Sequence, residues 1–183
     1  MRRWLAPLAL VVALNACGDD SPPPVLTEVP DFQLTRESGE AFGSAELRGK
    51  PWIANFIFTT CPSVCPMLTS QMGNLERRTR ELDVNFVSFS VDPETDTPEV
   101  LARYAQSHDA NLERWAFLTG NNAEMREVIE QGLRMRMGER SDDNSDILHG
   151  SHFVLVDREG HIRGFYRNEG PELERLEHDL RLL

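Results

Sequence analysis

The run PWIANFIFTTCPSVCPMLTSQM, residues 51–72, changes character at its middle. From Trp52 to Phe58 it is almost unbroken apolar sequence, as in a central strand buried on both faces. Then come Cys61 and Cys65, four apart and each followed by proline. Beyond them Leu68, Met72, Leu75, Thr79 and Leu82 fall on one helical stripe, with Glu76, Arg77, Arg78 and Arg80 on other faces. Proline is tolerated in the first turn of a helix, where its missing N–H had no partner. The helix is therefore expected to start between Pro62 and Pro66, with Cys61 in the loop and Cys65 in or beside the first turn.

Working outward, the alternation continues. VNFVSFSVD (84–92) reads as a second buried strand and WAFLTG (115–120) as a third. Between them TPEVLARYAQSH (97–108) opens with Thr97 as N-cap, Pro98 at the first helical position and Glu99 behind it. NAEMREVIEQG (122–132) predicts a helix closed by Gly132, and HFVLVDREGHIRGFYR (152–167) a hairpin turning at Glu159-Gly160. PELERLEHDLRLL (171–183) is amphipathic. Before the cysteines, DFQLT (31–35) and AFGSAEL (41–47) make an early strand or hairpin closed by ESGE. Strands alternating with helices, then strand-strand-helix, give an α/β fold. A cysteine pair at the C-terminal end of the first central strand makes it thioredoxin-like: a mixed sheet flanked by helices, with an N-terminal strand or hairpin extension, over residues 31–183.

The 183 residues suffice for one domain with a real core. The net charge of −11 argues against nucleic acid as a partner, because phosphate binding wants a basic face. Three cysteines are an odd number, so one should have a separate task. MRRWLAPLALVVALNAC supplies it: Arg2 and Arg3, an apolar stretch from Trp4 to Leu14, then small residues before Cys17. That is a secretory signal over residues 1–16, too short for a stable membrane-spanning helix. Its LNAC ending resembles the lipobox of bacterial lipoproteins, which implies lipidation of Cys17. Residues 17–30, with three successive prolines, then read as a stiff tether. The domain is placed in the bacterial envelope, anchored to a membrane and facing the periplasm. There thiols drift to disulfides unless a reductant or a bound metal holds them.

Fully helical residues four apart have Cα atoms about 6 Å apart, within the span of a disulfide. Both sulfurs would also feel the positive end of the helix, which favours thiolate. A structural staple, a redox dithiol and a metal site all remain open at this point. The staple is weakest, because a three-residue loop constrains the unfolded chain little. A reductase usually carries two residues between its cysteines, where this chain has three. His149 discriminates further, since it stands in the loop entering FVLVD, which in a thioredoxin-like fold passes over the cysteine turn. Two thiolates and an imidazole suit Cu(I), and can also hold Cu(II) or zinc.

FIFTTCPSVCPM, SFSVDPETDTPEVLARYA, WAFLTG and HGSHFVLVDREGHIRGFY together resemble the Sco/SenC family, in that order and from about Asp31 to Tyr166. These are thioredoxin-fold copper-binding proteins of the bacterial envelope and mitochondrial inner membrane. The resemblance implies copper, as Cu(I) or Cu(II), on Cys61, Cys65 and His149. His149 is preferred to His152 because the family histidine stands four residues before the position of Phe153. It also implies a role in assembling cytochrome c oxidase. The partner would be that enzyme's copper-bearing subunit, or another copper or thiol relay protein. Family members deliver copper to the dinuclear copper site, reduce its cysteines, or both. The chain is thus expected to be a metallochaperone, with thiol-disulfide oxidoreductase through Cys61 and Cys65 as the alternative. A peroxidase of peroxiredoxin type ranks below both. Some members place Asp directly before the histidine; here Leu148 stands there and Asp146 lies two residues further back.

Other residues carry two readings each. Asp92 and Asp96 close the second buried strand on the same sheet edge as the cysteines. They could stand beside the site or a docking surface, Asp92 matching the family pattern, or they could only organise the turn into the next helix. His152 is either exposed at the start of its strand or a spare Cu(II) ligand. Met135 and Met137 are soft donors better read as packing. His108, His161 and His178 are expected in solvent. GERSDDNSD, ahead of His149, reads as an acidic flexible loop that would let the histidine swing on and off a metal.

Overall fold

The structure is a computed structural model, and it describes residues 21–62, 64–138 and 152–183. Its centre is β4 (Trp52–Ile57), the predicted apolar run, with every residue buried. Parallel to it lies β5 (Asn85–Ser90), and parallel to β5 lies β6 (Trp115–Thr119). On the other side of β4, the hairpin β7 (His152–Val156) and β8 (His161–Arg167) pairs antiparallel. Gly160, at φ +92°, takes the left-handed conformation its turn requires.

The sheet has eight strands in the order β1-β8-β7-β4-β5-β6-β2-β3. The early hairpin is β2 (Gln33–Arg36) with β3 (Ala41–Gly43), docked antiparallel on β6. It ends in a single turn of helix, α1 (Ser44–Leu47). Gly43 is required there, since a Cβ would overlap the Phe32 carbonyl oxygen. The chain joins the sheet before Asp31, where the sequence reading began the domain. β1 (Thr27–Glu28) pairs with β8, Val29 is buried, and the Arg163 guanidinium donates to the Pro23 carbonyl. Part of the tether of residues 17–30 is therefore packed on the fold.

Helix α2 (Val64–Arg78) returns across one face of the sheet, burying Leu68, Met72 and Leu75. A Cβ on its Gly73 would sit 3.6 Å from the Trp115 ring. Helix α3 (Pro98–Ser107) starts as predicted: the Thr97 side chain accepts from the Val100 N–H and Pro98 occupies the first turn. Helix α5 (Gly170–Leu180) covers the β7–β8 end, where the Tyr166 hydroxyl donates to Asp179 at 2.7 Å. On the opposite face Phe89 meets Phe32, Trp52 and Phe56. The helix predicted over 122–132 is split. α4 (Asn122–Arg126) runs into a π-helical turn, Glu127–Gly132. Strand, helix and strand followed by hairpin and helix on a mixed sheet is the thioredoxin-like arrangement. No helix among the described residues is long and apolar enough to cross a membrane.

Candidate functional site

Where β4 ends, the chain turns: the Cys61 N–H donates to the Phe58 carbonyl at 3.2 Å. That leaves Cys61 half-buried at the head of α2, while Cys65, in the first turn of the helix, is fully buried. The first N–H groups of a helix lack partners within it. Here the Cys65 N–H points at the other sulfur, Cys61 Sγ, at 3.3 Å. The two are thiols, not a disulfide. The loop-and-first-turn placement read from the prolines therefore holds.

The electrostatics depart from expectation at Cys65. Burial pushes its thiol well above the ordinary value, and the neighbouring Cys61 and Asp96 add to the rise. A hydrogen bond from the Phe58 backbone only partly opposes this. Loss of water thus outweighs the help that a helix start gives a thiolate. A metal ion would restore the thiolate by replacing the proton.

Two polar clusters that sequence reasoning did not assemble sit behind the pair. Asp96 is fully buried and accepts from the Thr59 N–H (3.1 Å), the Thr59 hydroxyl (2.6 Å) and the Ser90 hydroxyl (2.6 Å). Burial nonetheless lifts its carboxyl above the usual range. Asp92 is also buried, and its carbonyl accepts the Thr95 and Asp96 N–H groups, which is turn chemistry. The second cluster joins Thr69, one turn beyond Cys65, to Tyr104 of α3 through a 2.8 Å hydroxyl pair. Burial raises the Tyr104 phenol to about 12. Thr69 could have been found from its i+4 spacing to Cys65 and Tyr104 from the buried stripe of α3; Asp96 was a candidate already, but nothing local pointed to Thr59 as its partner.

His149 and Cys17 lie outside the described residues. His152 is half-buried rather than exposed, and its Nδ1 is enclosed without a hydrogen-bond partner among the described residues. Since Ala54 pairs with Val154, β7 enters the sheet at the end where β4 leaves for Cys61. Met137 is core, and Met135 packs partly buried against it. Of the three histidines expected in solvent, only His178 is exposed. His108 lies against the Tyr104 ring at 4.2 Å, and His161 Nδ1 stands 3.4 Å from Asp157. Among the described residues one trio of potential metal ligands gathers, Asp157, Glu159 and His161. Arg163 already pairs with Asp157 at 2.9 Å, so the trio is the lock of the β7–β8 hairpin.

Comparison with known proteins matches the arrangement. The SCO1/SenC family model covers residues 22–182. The SCO1 protein homolog of Bacillus subtilis is 32% identical over 153 residues, 81% of this chain and 79% of the relative. BsSco, described as a disulfide-switch member of the Sco family of cytochrome c oxidase assembly proteins, superimposes with a TM-score of 0.79. It is 28% identical, over 88% of this chain and 96% of that one. Bradyrhizobium japonicum ScoI with copper bound is 30% identical with a TM-score of 0.66, over 85% and 99% of the two chains. On fold, on sequence and on the extent of the match, the chain belongs to the SCO1/SenC family.

Proposed function

We propose that this protein is a copper chaperone of the bacterial envelope that serves cytochrome c oxidase assembly. The observation that carries the reading is the thiol pair at the head of α2, a half-buried Cys61 beside a buried Cys65 whose N–H reaches the other sulfur. Two soft sulfurs so placed suit Cu(I), and His149 would complete a three-coordinate site. The copper-bound ScoI relative and the register that brings β7 in at the cysteine end support this set. Cys17 would carry the lipid that tethers the domain on the periplasmic side of a membrane. The acceptor would be the copper-bearing subunit of cytochrome c oxidase or a relay protein feeding it, drawing copper off by ligand exchange.

The thiols also favour a second reading, reduction of an acceptor's disulfide, since the BsSco relative is described as containing a disulfide switch. A disulfide between Cys61 and Cys65 removes both thiolates, so the two activities exclude each other at any instant. Copper stoichiometry and sulfur-to-copper charge-transfer absorption of the reduced protein test the first reading. One copper is expected per chain, lost in Cys61→Ser and Cys65→Ser and weakened in His149→Ala. Full copper retention in His149→Ala removes that ligand from the proposal. Unimpaired disulfide reduction by that variant would move the balance to the oxidoreductase.

A further inference from the structure

Asp96 is the buried charge that neither the turn nor the thiols explain. The loop into α3 is already organised without its carboxylate: the Asp92 carbonyl accepts the Thr95 and Asp96 N–H groups, and the Thr97 side chain caps the helix. The Asp96 side chain instead reaches 37 residues back along the chain to Thr59, taking both its N–H and its hydroxyl. Ser90, the last residue of β5, supplies a third donor. Thr59 stands two residues before Cys61, inside the turn closed by the Cys61 N–H to Phe58 carbonyl bond. A fully buried carboxylate is costly to keep, and an apolar side chain would close the same gap more cheaply. Two of its three donors fall on the segment that presents the outer sulfur.

We propose that Asp96 is a positioning residue for the sulfur pair, fixing through Thr59 the turn that holds Cys61 over Cys65 in a geometry one ligand can share. Its hydrogen bonds go to Thr59 and Ser90, and the positioning passes along the backbone from Thr59 to Cys61. Asn at position 96 would keep the shape and an oxygen for the Thr59 donors, with Ser90 turning to accept from the amide. Ala would leave Thr59 without either bond.

This inference rests on the copper reading above, and the experiment separates the two. Cu(I) affinity of the full, reduced chain is measured by competition with a colorimetric chelator, alongside thermal stability. Asp96→Ala is expected to bind about 10- to 100-fold more weakly, and Asp96→Asn to recover most of that loss. A role confined to stability would lower the melting temperature of Asp96→Ala and leave its copper affinity and charge-transfer band at wild-type values, which overturns the proposal. Loss in both variants without rescue by Asn overturns positioning through hydrogen bonds. Should Asp96→Ala not fold, Thr59→Val, which keeps the N–H bond, is expected to show a smaller loss; unchanged affinity there overturns it. If wild-type protein binds no copper, the chaperone reading fails. Asp96 is then judged by the dithiol–disulfide equilibrium against glutathione. A shift in Asp96→Ala that Asn reverses upholds the proposal, and no shift overturns it.

Discussion

At the scale of single residues, the hydroxyl pair of Thr69 and Tyr104 shows how polar groups persist beneath a thiol site. Each satisfies the other at 2.8 Å, in a region where water is excluded. Removing one partner orphans the other, so Thr69→Val should lower stability by about 1–3 kcal/mol in denaturant titration. Tyr104→Phe should act similarly. The double variant should fall short of the sum of the two, and additive losses would show that the pair is not coupled. The cysteines were legible in sequence because few residues share their chemistry and because the prolines fixed the helix start. Asp96 could be placed beside the cysteines but not joined to them, since DPETDTP reads locally as a turn and its partner Thr59 is distant in sequence. The raised thiol of Cys65 was not legible either, because desolvation belongs to the packed molecule.

At the scale of elements, signals carried by adjacent residues survived folding and those set by packing did not. The cap of α3 and the turn at Gly160 are local and appear as read. The π-helical turn after α4 has no pattern in EVIEQG that distinguishes it from an ordinary helix. The β7–β8 hairpin adds a lock of its own. Asp157 accepts the N–H groups of Glu159 and His161 and pairs with Arg163, and together these hold its carboxyl below the ordinary 3.8 even though burial works the other way. A carboxyl lowered in the folded state stabilises above its ordinary value, and that contribution disappears as pH falls through the folded one. Asp157→Asn should therefore melt earlier than wild type at neutral pH. The gap should narrow in acid, and a gap independent of pH would contradict this.

For the whole molecule, the core strands and their helices could be read from the sequence, but the order of the sheet could not. Nothing in DFQLT says that β2 docks against β6 rather than beside β4. β1 is two polar residues whose pairing is set by distant Ile162 and His161, so the sequence gives it no periodicity to find. A chain begun at Asp31 would lose β1, the Val29 side chain and the Pro23–Arg163 bond. It should be less stable by at least about 2 kcal/mol, and equal melting temperatures would show that the segment only lies on the surface. The direction of this strand matters beyond stability. Because β1 runs antiparallel to β8, the chain before Thr27 lies beside β8, where the Arg163 guanidinium that donates to the Pro23 carbonyl also pairs with Asp157 at the hairpin turn. One arginine thus ties the entering chain to the hairpin, so a change that frees either end of that tie slackens both.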